Sequence, residues 1–235
     1  VEMAPDHYKA QAPVTLSPAS AVPAPPQPDP EKVKQAAARL ASAKRPAIFI
    51  GGGIYGAEAE LLALAERLGA AVAYSPSAMG GIASDHPLAV DLLSAQDIWD
   101  DIDVVLVVGT RFIGPAMAWG REDEIEVLRI DVDPTQISKP RTPMVGLVTS
   151  AAVGMAALLS ALPGDLAPAD WGELLANARN ATMDKLAGLG PLKGFSDAMR
   201  RVLPRDGILS TDVTQLGYYT RFGFPVYEPR TWLAP

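Results

Sequence analysis

The run Arg45-Pro46-Ala47-Ile48-Phe49-Ile50-Gly51-Gly52-Gly53-Ile54-Tyr55-Gly56-Ala57 decides the fold. Residues 47–50 are all apolar and are stopped by three glycines. That is how a strand covered on both faces reads, since a strand with one wet face alternates apolar and polar. Gly51, Gly53 and Gly56 satisfy G-x-G-x-x-G, and the periodicity beyond them predicts a helix over 57–68 and a second strand over 71–74. Strand, glycine turn, helix and strand make one βαβ unit, which requires a parallel sheet.

The same alternation continues outward. Upstream, Asp29 caps and Pro30 opens a helix to about residue 42, with Val33, Ala37, Leu40 and Ala41 on one face. Downstream, strands are predicted over 104–108, 126–130 and 144–148, a helix end over 97–101, and a helix over 152–162. The expected fold class is therefore α/β, a doubly wound parallel sheet of the Rossmann-like kind. Beyond Pro163-Gly164 the pattern turns helical, over 171–186, and breaks at Gly188-Leu189-Gly190-Pro191. A helix over 194–203, a strand over 207–212 and a helix over 214–222 then suggest the start of a second α/β domain. Residues 12–30, with Pro23, Pro25, Pro26, Pro28 and Pro30, read as an extended linker. The expected division is 1–28 as the close of a preceding domain plus linker, 29–163 as the central domain, 164–190 as a helical linker, and 191–235 as an incomplete domain.

Composition narrows the function classes. The 235 residues are 49% hydrophobic and 20% charged, as in ordinary globular proteins. The net charge of −7 and the lack of any Lys/Arg run give nucleic acid no electrostatic footing. With no cysteine, disulfides, thiolate metal sites and a cysteine nucleophile are excluded, and the cytoplasm is the expected compartment. His7 and His86 are the only histidines, too few for a zinc site. Apolar stretches are too short and too broken to span a bilayer. Val1 in place of Met, and an uncapped apolar Trp232-Leu233-Ala234-Pro235, read as ends lying inside something larger.

In a parallel sheet, loops leaving the strand C-termini gather on one edge, where ligands sit. Here they are residues 51–56, 75–86, 109–120 and 131–139. Gly51, Gly52 and Gly53 either cradle a phosphate or merely permit a tight turn. Arg111 is a charge at a strand exit, for a ligand or for a salt bridge. Asp131 and Asp133 can accept from a ribose, or cap the turn at Pro134. A dinucleotide fingerprint wants an acid at the end of the second strand, where this chain has Tyr74-Ser75-Pro76-Ser77. That speaks against an NAD-dependent enzyme.

Taken in order, Arg45-Pro46 to Gly53, Ser77-Ala78-Met79-Gly80-Gly81, Asp85-His86-Pro87-Leu88, Val108-Gly109-Thr110-Arg111-Phe112 and Ile130-Asp131-Val132-Asp133-Pro134 form a series. The series resembles the central domain of thiamine-diphosphate-dependent enzymes such as acetolactate synthase, benzoylformate decarboxylase and pyruvate oxidase. Residues 1–5 are similar to the close of that family's pyrimidine-binding domain, and 208–215 to the opening of its diphosphate-binding domain. The resemblance implies C–C bond cleavage or carboligation on 2-oxo acid substrates, with thiamine diphosphate and Mg2+ in the complete enzyme, acting as a homodimer or homotetramer. It places Thr214 and Gln215 against the cofactor and names no catalytic residue or metal ligand within this stretch, which alone is expected to be inactive. Central domains of the family hold FAD, ADP or nothing. FAD-binding acetolactate synthases carry a Gly-Met-His-Gly-like segment and an Arg-Phe-Asp-Asp-Arg run, where this chain has Leu93-Ser94-Ala95-Gln96-Asp97 and Arg111-Phe112-Ile113-Gly114-Pro115. The competing readings are a stand-alone FAD- or ADP-binding module and, behind it, an NAD-dependent enzyme. An incomplete domain would also expose apolar surface, with Val226, Tyr227 and Trp232 as its candidates.

Overall fold

Asp29 opens the first helix, α1 (Pro30–Ser42), its carboxylate accepting the Glu31 N–H at 2.9 Å in a computed structural model that describes residues 3–19, 21, 24–121 and 124–235. The helix buries Val33, Ala36, Ala37 and Leu40, so Ala36 takes the inward place expected of Ala41. Strand β1 (Pro46–Ile50), helix α2 (Glu58–Leu68) and strand β2 (Ala71–Tyr74) follow. Next come β3 (Ala89–Val90), α3 (Leu92–Asp97), β4 (Val104–Val108) and α4 (Ile113–Ala118). Strands β5 (Glu126–Asp131) and β6 (Val145–Val148) and helix α5 (Ala151–Ala161) complete the series. The six strands form one sheet in the order β3-β2-β1-β4-β5-β6, every pair parallel.

Side chains of successive strand residues point to opposite faces. Ile48, Ile50, Leu106 and Val108 pack under α1, α2 and α5, while Ala47, Phe49, Val105 and Val107 face Trp99, Trp171 and the buried side of α6 (Leu174–Ala187). Both faces are covered, which is why β1 and β4 are apolar throughout. Ile48 and Ile50 are completely buried, each stabilising the fold by about 1.5–3 kcal/mol.

The remainder docks on this body. Trp171 Nε1 donates to Gly69 O at 2.9 Å, and Ser94 Oγ donates to Thr182 Oγ1 at 3.0 Å, tying the segment around α6 to α2 and α3. Helices α7 (Pro191–Val202) and α8 (Gln215–Gly223) lie against one another, and β7 (Leu209–Ser210) pairs in parallel with β8 (Trp232–Leu233). The strand expected over 207–212 is thus only two residues long. Helix α7 starts three residues before its expected place because Pro191 fits a first helical turn.

Val226 and Trp232 are not exposed: they retain 1% and 7% of their accessible surface. Ser84 clamps Val226, its hydroxyl donating to Val226 O (2.8 Å) and accepting Val226 N–H (3.0 Å). Trp232 Nε1 donates to Thr220 Oγ1 at 3.2 Å. Tyr227 is half-buried, and the exposed large apolar side chains of residues 191–235 are Phe195, Val202, Ile208, Val213, Tyr218 and Leu233. Residues Val1 and Glu2 of the strand-like opening, and Pro23 of the linker, lie outside the described residues. Met3 and Ala4 join no strand, and Pro5–Lys9 forms a 3-10 turn.

Candidate functional site

From β1 the chain winds to β2 on one side, and from β4 to β5 and β6 on the other. The crevice between the C-terminal ends of β1 and β4 is therefore a topological switch point, the place where open α/β sheets take ligands. The glycine loop and the β4–α4 loop meet there, backbone to backbone. Gly51 N donates to Val108 O at 3.1 Å and Gly53 N to Gly109 O at 3.0 Å. A Cβ on Gly51 would stand 2.4 Å from Thr110 Cβ, and one on Gly53 would stand 2.7 Å from Gly109 Cα, whereas Gly52 has ordinary room.

Two clefts flank this contact. One, of about 490 Å3, is lined by Gly51, Gly52, Gly53, the 75–77 loop, Arg111 and an aromatic wall of Phe49, Phe112 and Trp119. Phe49 and Phe112 meet edge to face at 5.1 Å between centroids. The second, of about 370 Å3, is lined by Gly53, Arg111, Asp131, Gln136 and Ser150 among others. Arg111 is exposed, borders both clefts, and makes no side-chain hydrogen bond or ion pair among the described residues.

Asp131 is already engaged. Its Oδ1 accepts Asp133 N–H at 3.1 Å and its Oδ2 pairs with Arg129 at 3.1 Å. Arg129 is almost wholly buried and also donates to Thr110 O at 2.8 Å and to Lys139 O. Asp133 accepts Thr135 N–H at 2.8 Å, which holds its carboxyl below the usual range and makes it a turn cap. The start of α2 is likewise taken: Gly56 N–H donates to Glu58 Oε2 at 2.9 Å, and Glu58 and Glu60 put negative charge in the first turn.

Thr214 and Gln215 line neither cleft. They sit exposed at the start of α8, where Thr214 Oγ1 caps the helix by accepting Gly217 N–H at 2.9 Å. The structure thus puts Gly51 and Gly52 on the first cleft, Asp131 on the second, Gly53 and Arg111 on both, and Thr214 and Gln215 on neither. Sequence reasoning missed Arg129, for which the signal was a lone charge inside the apolar run of β5. Among the described residues no group of three or more His, Cys, Asp or Glu side chains could hold a metal ion. No helix there is long and apolar enough to cross a membrane.

A Rossmann-like sheet with a glycine-loop crevice defines the class. Residues 33–161 match the family described as thiamine pyrophosphate enzyme, central domain, and the chain belongs to that family. It is 34% identical over 218 residues to the protein named "Probable 2-ketoarginine decarboxylase AruI" of Pseudomonas aeruginosa, covering 87% of this chain and 38% of that protein. It is 27% identical over 220 residues to the acetolactate synthase isozyme 1 large subunit of Escherichia coli, again covering 87% and 38%. The fold resembles that of a Mycobacterium smegmatis protein solved by X-ray crystallography under the description "putative thiamin diphosphate-dependent enzyme". There the TM-score is 0.65 and the identity 21%, over 92% of this chain and 43% of the other. The chain spans 38% of the length of these two curated relatives.

Proposed function

We propose that this chain is the central region of a thiamine-diphosphate-dependent, acetolactate synthase-like enzyme that cleaves or forms a C–C bond beside the carbonyl of a 2-oxo acid. The observation that carries the reading is the family match over residues 33–161 laid on a sheet of order β3-β2-β1-β4-β5-β6. Thiamine diphosphate supplies the nucleophile and electron sink when bound. Of its surroundings the described residues offer only Thr214 and Gln215 and no metal cluster, so the cofactor does not fit this stretch alone and no catalytic step is assigned to it.

The central crevice is read as a scaffold without FAD or ADP. Gly51 and Gly53 spend their N–H groups on Val108 and Gly109, and the start of α2 already holds Glu58. Arg111 is the single cation lining the glycine-loop cleft. The native reading frame tests the proposal. It should run on in both directions, with a glutamate upstream and a Gly-Asp-Gly metal motif downstream, and its product should consume 2-oxo acids only with thiamine diphosphate and Mg2+. A frame beginning near Val1 and stopping at Pro235 would overturn it in favour of a stand-alone nucleotide-binding module.

A further inference from the structure

We propose that Arg221 and Arg230 form an anion site for a phosphorylated ligand, in the cleft between the 76–77 loop and β8. The cleft holds about 570 Å3 and is walled by Tyr55, Pro76, Ser77, Arg221, Arg230 and residues 232–235. It shares Pro76 and Ser77 with the glycine-loop cleft and lies beside it.

Charge is the first argument. Arg39, Arg121, Arg129 and Arg205 all pair with carboxylates. Arg221 and Arg230 meet none within 4.0 Å and donate no side-chain hydrogen bond, among the described residues. Two unneutralised guanidinium groups bordering one cleft, in a chain of net charge −7, repel each other. A dianionic phosphoryl group in that cleft offsets both positive charges, which one carboxylate of a single charge does less well.

Both guanidinium groups are also held in place. Arg230 lies over the Tyr55 ring at 5.1 Å and Arg221 over the Tyr218 ring at 4.9 Å. Arg230 adopts the left-handed backbone (φ 62°), in a turn closed by Thr231 Oγ1 donating to Glu228 O at 2.8 Å. Stacked arginines lose less freedom when a ligand binds. The site is separate from Thr214 and Gln215, because Arg221 lies six residues beyond Gln215, about 9 Å along the helix axis. The inference does not depend on the proposed reaction.

Calorimetric titration of the 235-residue chain at low ionic strength tests it, with inorganic pyrophosphate, inorganic phosphate and acetate as separate ligands. Pyrophosphate should bind most tightly, phosphate more weakly, and acetate not measurably. R221Q and R230Q should each weaken pyrophosphate by about tenfold, the loss expected for one charge-assisted hydrogen bond, and R230K should restore part of it. R201Q, at an exposed position on α7, should bind as the parent does. R230Q, in an exposed turn, keeps the test alive if R221Q unfolds. The proposal is overturned if pyrophosphate does not bind, if the double variant binds it unchanged, if R201Q loses it equally, or if acetate competes on equal terms.

Discussion

A Cβ at Gly53 would stand 2.7 Å from the Cα of Gly109, and one at Gly109 would stand 2.6 Å from the Cα of Gly53. The two loops at the switch point are in backbone contact, and no side chain can enter between them. Gly53→Ala should therefore destabilise the protein by about 1–3 kcal/mol, as overpacking does, and Gly51→Ala similarly. Gly52→Ala should change stability by less than about 0.5 kcal/mol, as at an ordinary surface site, since its Cβ comes no nearer than 3.4 Å to Ser77 O. Urea unfolding of the three variants checks this, and equal losses at positions 52 and 53 would refute the close-approach account.

Arg129 and Asp131 form a nearly buried pair, their side chains 3% and 13% exposed. Removing one partner strands the other. Arg129→Met should cost about 3–5 kcal/mol, and it also releases the carbonyls of Thr110 and Lys139. The double variant Arg129→Met with Asp131→Asn should recover part of the loss, because no charge is then left without a partner. A double variant as unstable as the sum of its singles would show that the two do not act as a pair.

Burial, and secondarily the Asp91 carboxylate, push Tyr74 up to about 12. The folded state therefore keeps a proton that the unfolded chain releases near pH 10. The stability this confers is complete below pH 10 and is lost as pH rises through 12, amounting to about 2–3 kcal/mol. Tyr74→Phe should flatten the fall in stability between pH 10 and 12 relative to the parent. Identical slopes in the two proteins would mean that Tyr74 is not so buried.

How much of this was legible in the sequence depended on length and contiguity. Strands β1, β2 and β4 are read directly, since a run such as Val104–Val108 buried on both faces has no polar interruption. The two residues of β3 and the six each of α3 and α4 are too short to show a period. Asp29 announced α1 as a cap, while Ser150, which caps α5 in the same way, went unremarked. The burial of Val226 was invisible because its clamp, Ser84, lies 142 residues away. The site was legible where it is local: the glycines, Arg111 and Asp131 each end a readable strand. Arg221 and Arg230 come to one cleft with Tyr55 only through the fold, and the stacking that places Arg230 on Tyr55 links two widely separated parts of the sequence.

FAD and ADP should bind this chain no tighter than about millimolar, the range near 4 kcal/mol. The crevice offers their diphosphate a single lining cation, Arg111, and the N–H groups of Gly51 and Gly53 are already engaged. Fluorescence titration with FAD reads this, and Gly52→Val is the control variant, because its side chain enters the cleft without striking the β4–α4 loop. Micromolar binding that Gly52→Val removes would make the glycine loop a working nucleotide site. A valine at Gly53 is unsuitable for the purpose, since its clash with Gly109 unsettles the fold as well.

Mixed with thiamine diphosphate, Mg2+ and pyruvate, the 235-residue chain should show no turnover and no micromolar cofactor binding. Thr214 and Gln215 are exposed at the start of α8, and Thr214 Oγ1 is already accepting from Gly217 N–H. A few hydrogen bonds there contribute about 0.5–1.5 kcal/mol each, whereas micromolar affinity needs about 8 kcal/mol. No metal ligand set is present among the described residues to counter the diphosphate charge. The Arg221 and Arg230 cleft could attract the diphosphate, but only as an anion and without a dependence on Mg2+. Titration with and without Mg2+ therefore separates the two sites. Tight binding that requires Mg2+ and is lost in Thr214→Ala would show that this stretch holds the cofactor after all, while weak binding that ignores Mg2+ and is lost in R230Q would place the diphosphate in the arginine cleft.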